Sequence, residues 1–267
     1  MEQLTDINMY QFCERGVRGG ISMITHRHSK ANNKYMKNYD EKQEDNYIMY
    51  LDANNLYGHS MSQKLPTGNF KWVDDADNDF IKNYDCKNNK GCFVECDLHY
   101  PQHLHDLHNN FPLAPEKKSF LKTELSPYQL NQQKIHNEKH SEKIEKLIPN
   151  LNDKIKYVCH IKNLQYYLKK GLVLTKIHKV LEFDQSEWLK PYIDFNTEQR
   201  KLSKNDFEKD LYKLMNNAVF GKTMENVREH VDITLITDED KYLKQVVKPQ
   251  FHSQKKYSED LIAVKMN

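Results

Sequence analysis

The sequence predicts an α+β chain, with antiparallel strands and helices segregated along its length rather than alternating as in a parallel β-α-β fold. Three observations carry this. Two strand-like runs, "NYIMYLDANNLYG" (46–58) and "GCFVECDLHY" (91–100), stand close together in the first half. Two more, in "DKIKYVCH" (153–160) and "LVLTKIHKVLEF" (172–183), flank an amphipathic helix ending at Gly171. Two helices then follow, one from roughly Ser186 to Leu202 and one from Asn205 onward, where Asn205 and Glu208 form a capping box.

In chain order, the first two strands are expected to pair, with "VDDADNDFIKNYDCKNNK" between them as a polar loop. From His103 to about Pro149 the text is rich in His, Asn, Gln, Lys and Pro, with "KIHNEKHSEKIEK" reading as a solvated helix. In the last long helix, Phe207, Leu211, Leu214, Met215 and Ala218 share one face by their spacing. Lys209 and Lys213, four apart, share another. No internal repeat is present.

At 267 residues the chain is long enough for one large domain or two ordinary ones. Mean hydropathy is −0.90 and 29% of residues are charged, so much of the length is solvated surface or depends on a partner. The net charge of +2 neither announces nor excludes a nucleic-acid binder, because a local basic cleft matters more than the total. The cations are 35 Lys and only 5 Arg. No apolar run reaches the roughly 18 residues of a membrane helix, and the N-terminus lacks the order of a secretory signal. A soluble, intracellular protein without membrane association is expected. Five scattered cysteines argue against a disulfide framework.

Two short stretches carry chemistry. Asp52 ends an apolar run and is followed by Asn54-Asn55. The bland reading is a strand end and a turn, since Asp and Asn bond their own backbone and tolerate unusual dihedrals. The sharper reading is a carboxylate held at a strand tip to bind a metal ion. Lys209 and Lys213 are either ordinary exposed lysines or a cationic ridge for a polyphosphate, joined by Arg200 and Lys201 from the preceding helix. His99, His103, His105 and His108, with Cys86, Cys92 and Cys96 nearby, suggest zinc. No pair has Cys-x-x-Cys spacing, however, and Cys92 and Cys96 fall on one strand face as packing residues.

Taken together, "YLDANNLYGHSM" resembles motif A of the family B DNA polymerases, and "KLMNNAVFGK" resembles their motif B, Lys-x-x-x-Asn-Ser-x-Tyr-Gly. The closer resemblance is to the protein-primed branch, especially Maverick or Polinton-type polymerases. Phrases such as "RGGIS", "ANNKYM", "LPTGNFKW", "LHDLHNNFPLAPEK", "NTEQRK" and "FEKDLYKLMNN" carry it along nearly the whole chain. The resemblance implies Asp52 and the Ala53 carbonyl as ligands of Mg²⁺ or Mn²⁺, and Tyr57 as the aromatic residue that closes on the sugar of the incoming nucleotide. It implies Lys213 on the triphosphate, further basic fingers residues at Arg200, Lys201 and Lys209, and Asn217, Phe220 and Gly221 beside the nascent base pair. Arg18, Gly19 and Gly20 match the family's Tyr-x-Gly-Gly loop at the template strand, with Val17 in place of the tyrosine. Ala218 and Phe220 depart from the usual Ser and Tyr, so a hydroxyl contact to the minor groove is lost while the apolar platform stays.

The fold so implied is a partial polymerase palm, an antiparallel sheet with helices, with an inserted terminal-protein-region-like subdomain and a two-helix fingers subdomain. Its expected segments are 1–46 before the palm, 47–98 with motif A, 99–180 as the insertion, 181–222 as fingers with motif B, and 223–267 returning toward the palm. The implied partners are primer-template DNA, a deoxynucleoside triphosphate and a terminal, priming protein. Exonuclease motifs and the Asp-Thr-Asp of motif C are absent from the sequence, so the chain reads as a fragment inactive alone. Two other readings stay open: a non-enzymatic module binding DNA or a priming protein, and a zinc-binding interaction protein.

Overall fold

The computed structural model describes residues 1–26, 28–86 and 88–266. Lys87, within the expected polar loop, and Asn267, at the end of the expected last segment, lie outside the described residues. The chain divides into two units, Met1–Phe220 and Gly221–Asn267, each described by itself. In the first, helix α1 (Ile7–Gly16) is capped by the Asp6 carboxylate, which accepts from the Asn8 and Met9 amides. Helix α2 (Leu56–Met61) leads into β1 (Leu65–Val73), α3 (Asn78–Asn83) and β2 (Lys90–His99). The short helix α4 (His105–His108), β3 (Glu116–Lys118), α5 (Pro127–Ile135) and β4 (Lys146–Ile148) come next. Then follow β5 (Lys154–His160), α6 (Ile161–Lys169), β6 (Val173–Ser186), α7 (Lys190–Leu202) and α8 (Asp206–Thr223).

The main sheet has the order β1-β6-β2-β5 and every pair is antiparallel, as the expected α+β class requires. β2 is central and buries both faces. On one, Cys92, Val94, Cys96 and Leu98 pack with Tyr157, Cys159 and Val180 under Ile161 and Leu164 of α6 and Ile81 of α3. On the other, Phe12 of α1 packs on Val158 and Leu181, with Trp72 edge-on to its ring at 5.1 Å. Each fully buried apolar side chain contributes about 1.5–3 kcal/mol. At Gly91 the Phe183 ring and the Gln185 amide oxygen come within 2.6 Å of where a Cβ would stand, so β2 and β6 close fully only over a glycine. Within residues 99–180, β5 and the first part of β6 pair with β2, whereas β3 and β4 form a separate two-stranded ribbon. The ribbon is tied to the sheet by Lys154, whose side chain is fully buried. Its ammonium donates to Glu116 Oε2 (3.0 Å) and to Asn150 Oδ1 (2.5 Å) and O (3.2 Å).

Several expectations need correction. The run Tyr47–Leu51 joins no ladder among the described residues, and all five side chains are 55–93% exposed. Alternation marks two faces, but a strand also needs a partner's amides and carbonyls. Both edges of β2 are already taken by β5 and β6, so the expected pairing is not made. The "polar loop" contains α3, because Asp77 caps it, accepting from Phe80 N at 2.7 Å, and Ile81 gives it a buried side. The helix expected over 134–146 lies upstream as α5, started by Ser126 and Gln129 as a capping box with Pro127 in the first turn. It stops where Asn137 takes a left-handed conformation (φ 52°) and Glu138 N donates to Gln133 O at 2.9 Å.

α7 starts at Lys190 rather than Ser186, since β6 stays paired with β1 through Ser186. α8 begins as expected, with Glu208 N donating to Asn205 Oδ1 and Glu208 accepting from Lys204 N. Its expected apolar face, however, is turned outward: Phe207 is 76% exposed and Leu214 62%. The stripe that meets α7 is Asn216 with Val219 and Phe220, about 150° away around the helix.

In the second unit, β7 (Asp232–Ile236), α9 (Glu239–Val246), β8 (Phe251–Ser258) and β9 (Leu261–Met266) form an antiparallel sheet of order β7-β9-β8. Ile236, Val264 and Met266 pack with Tyr242 of α9 as its core. No helix among the described residues is long and apolar enough to cross a membrane.

Candidate nucleotide site

α7 and α8 run against each other in opposite directions. Asn196 Nδ2 donates to Asn216 Oδ1 at 3.0 Å in the buried interface, Tyr192 donates to the Met215 carbonyl at 3.3 Å, and Ile193 meets Val219 and Phe220. Met61 of α2 and Leu189 complete this cluster, so the helix after Asp52 is packed onto the base of the α7-α8 pair. α2 is entered through Asn55 in the left-handed region (φ 54°), and the Asn55 amide lies against buried Gly58, where any side chain would collide with it. That is the local use of "ANNLYG": the turn that follows Asp52 sets the direction in which Tyr57 leaves.

Tyr57 stacks on Phe220, ring centroids 4.1 Å apart at 11°, and its hydroxyl lies 3.1 Å from where a Gly20 side chain would begin. Three stretches remote in sequence, "RGG", "ANNLYG" and "NNAVFG", therefore converge. Of the other residues singled out in the sequence, Asp52 and Ala53 are exposed at the end of the unpaired run, and the Asp52 carboxylate makes no hydrogen bond or ion pair among the described residues. Lys213 and Arg200 are exposed and likewise make no ion pair, whereas Lys201 is paired with Glu198 (2.6 Å) and Lys209 with Asp206 (3.2 Å). Such exposed pairs hold a lysine by about 1 kcal/mol or less, so a polyphosphate can displace them. Helical spacing sets Lys209, Lys213, Asn217 and Phe220 along one slowly turning stripe of α8. Asn217 is half-buried, and no atom lies within 4 Å of a side chain built at Gly221.

Arg18 is occupied by the fold. Its guanidinium donates to the carbonyls of Val158 (2.7 Å) and Gly16 (3.1 Å) and lies 4.0 Å over the Tyr157 ring, which fixes the loop carrying half-buried Gly19 and exposed Gly20 against β5. Sequence reading missed three buried polar groups: Asn216, the buried neighbour of Asn217 at this site; and, elsewhere in the fold, Glu95, which accepts from Arg15 at 2.5 Å beneath α1, and Lys154. A charged residue on the central strand, and a lysine opening another, were the signals available for the last two.

Among the described residues no group of three or more His, Cys, Asp or Glu side chains is placed to hold a metal ion. His99 pairs with Asp153 (2.9 Å), His105 with the Tyr100 carbonyl (3.2 Å) and His108 with the Tyr100 hydroxyl (2.8 Å). Burial pushes the Cys92 thiol up, and hydrogen bonding to Cys159 together with burial pushes Cys96 up, which keeps both as neutral packing groups. For Mg²⁺ or Mn²⁺ the residues that could act as donors are the Asp52 carboxylate and the Ala53 carbonyl, and the remaining positions of an octahedral ion would fall to water and substrate phosphate.

No protein-family model and no curated protein matches the chain. Three solved structures are similar to it. Phi29 DNA polymerase in an orthorhombic crystal form has a TM-score of 0.49 at 15% identity, over 88% of this chain and 34% of that one. Phi29 DNA polymerase complexed with primer-template DNA and incoming nucleotide substrates has a TM-score of 0.42 at 17% identity, over 88% and 34%. The same polymerase in a post-translocation binary complex with primer-template DNA has a TM-score of 0.39 at 18% identity, over 70% and 27%. The chain thus spans about a third of the length of the first of these structures.

Proposed function

We propose that the chain is part of a DNA-directed DNA polymerase of the protein-primed family B type, similar to those of Maverick or Polinton elements, and that it holds the incoming deoxynucleoside triphosphate against primer-template DNA. The observation that carries this reading is the stacking of Tyr57 on Phe220 with Gly20 over the tyrosine hydroxyl. The three stretches that the sequence resemblance singles out meet at one place. Tyr57 would face the sugar and exclude a 2′-hydroxyl, Lys213 would hold the triphosphate with Arg200, Lys201 and Lys209, and Asn217, Phe220 and Gly221 would line the nascent base pair. Asp52 and Ala53 would contribute part of a divalent-metal site. One carboxylate is too few for the paired ions of phosphoryl transfer, so no catalytic step is assigned to these residues alone, and templated synthesis is not expected from this chain by itself. The β3-β4 ribbon and α5 occupy the segment in which such polymerases grip a priming protein.

A second reading, a non-enzymatic module binding DNA or a protein, is favoured by the exposed apolar stripe of Phe207, Leu211 and Leu214 on α8. Fluorescence anisotropy with labelled primer-template DNA separates the two. A polymerase-derived site binds DNA in a salt-sensitive way and tightens in the presence of the deoxynucleoside triphosphate complementary to the template. DNA binding indifferent to nucleotide sinks the first reading in favour of the second.

A further inference from the structure

Away from Tyr57 and Phe220, the end of β1 and the middle of β6 border an open cleft of about 610 Å³, within the size range of small-ligand sites. Its wall is half-buried Trp72, held edge-on by Phe12, and the Lys179 ammonium stands 5.7 Å from the Trp72 ring centroid. Lys179 is exposed and makes no ion pair among the described residues. Beside it His178, fixed by a 2.7 Å contact to Asp97, lines the cleft. Asp74 and Asp75 lie on the turn leaving β1 and also line the cleft, with Asp75 in the left-handed region (φ 60°). An indole wall, an ammonium over its ring and two carboxylates on the adjoining turn are the three complements of one ligand class. That class has a flat aromatic ring to pack on the indole, an anion for the lysine, and amino or hydroxyl donors for the carboxylates.

We propose that the Trp72–Lys179 cleft is a second binding subsite, for a nucleoside phosphate, separate from the Tyr57–Phe220 site. Inorganic phosphate alone offers nothing to Trp72, and a bare nucleoside offers nothing to Lys179; the ligand must carry both. Two sources supply it, a free mononucleotide and the nucleotides of a single-stranded nucleic acid, where base stacking on aromatic side chains is sequence-tolerant. The cleft owes nothing to Asp52 or Lys213, so it stands whether or not the polymerase reading does.

The test uses the chain with Trp188→Phe, which leaves Trp72 as the sole tryptophan. Tryptophan emission is titrated with a nucleoside 5′-monophosphate, with a short single-stranded DNA and with inorganic phosphate, using free tryptophan amide to correct for inner-filter loss. Saturable quenching is expected with the first two and none with phosphate. Lys179→Gln, an exposed substitution that keeps the fold by circular dichroism, is expected to weaken it about fivefold, while Lys213→Ala leaves it unchanged. DNA that quenches at lower nucleotide concentration than the monophosphate identifies the strand as the source; equal potency identifies the free nucleotide. The proposal is overturned if neither ligand quenches, if phosphate alone reproduces the effect, or if Lys179→Gln has no influence while the protein remains folded.

Discussion

Lys154 offers a sharp stability test, because among the described residues its fully buried ammonium is satisfied by only two, Glu116 and Asn150. Glu116→Gln keeps the shape and removes the charge, leaving an ammonium in the interior without a counter-ion. Breaking one partner of a buried pair costs about 3–5 kcal/mol; with the Glu116 side chain 27% exposed, water relieves part of this, and about 2–3 kcal/mol is expected. Lys154→Met removes the charge instead and fills the space with apolar volume, while Glu116 and Asn150, both reachable by solvent, rehydrate at a cost of about 1 kcal/mol or less. Removing the acid should therefore be worse than removing the base. Urea unfolding followed by circular dichroism reads this as a larger fall in midpoint for Glu116→Gln at unchanged slope. Burial, opposed by Glu116, lowers the Lys154 pKa below the ordinary lysine value. The unfolded chain then binds more protons between that lowered value and 10.5, and the Lys154 contribution to stability rises with pH across this window. The difference between wild type and Lys154→Met should grow in favour of wild type on that alkaline limb. An equal or smaller loss for Glu116→Gln than for Lys154→Met would falsify the role given to Glu116 as counter-ion of Lys154.

Three further outcomes follow from the geometry. His160, half-buried against Phe93 and Phe183, is held down to about 4, mainly by desolvation and then by Lys162. It stays neutral in the fold while the unfolded chain protonates near 6.5, so up to about 3 kcal/mol of stability is lost as pH falls from 6.5 toward 4, and His160→Asn, which keeps an acceptor for the Lys162 amide, should flatten that limb in pH-dependent urea titrations. Gly58→Ala should cost about 1–3 kcal/mol, because the Asn55 amide must leave its place; an unchanged thermal midpoint refutes this. In an enzyme that includes this chain and the full metal site, Lys213→Ala should cost about 1.5–3 kcal/mol of nucleotide interaction and Tyr57→Ala should relax discrimination against ribonucleotides. Unchanged nucleotide kinetics and selectivity would leave both residues as surface and packing.

The sheet was legible where hydrophobic alternation coincided with available partners. β2, β5 and β6 lie where the pattern put them, as does α6, which ends at Lys169 just before Gly171. Tyr47–Leu51 carries the same alternation but stays unpaired, since pairing depends on which edges remain open and local pattern cannot count them. α8 shows the other limit. Its apolar periodicity indicated a helix correctly, but the face turned toward α7 is set by the Asn196–Asn216 hydrogen bond, and a polar pair overrides an apolar stripe in fixing rotation because an unsatisfied buried amide costs about 1–3 kcal/mol. Arg18 stands at the template strand only by the resemblance of "VRGGIS" to the family's loop; nothing local reveals that its guanidinium meets the Val158 carbonyl and the Tyr157 ring, about 140 residues away.

In the proposed function a deoxynucleoside triphosphate docks on Tyr57 and Phe220 with its phosphates toward Lys213. Photocrosslinking of an azido-deoxyadenosine triphosphate to the chain, in the presence of primer-template DNA and Mg²⁺, tests it directly when labelled peptides are mapped by mass spectrometry. Label is expected on Tyr57 or on α8 between Lys209 and Phe220, competed by unlabelled triphosphate and strongly reduced by Lys213→Ala, with the Trp72 cleft labelled independently of that substitution. Labelling confined to other segments, or undiminished on α8 in Lys213→Ala, would contradict it.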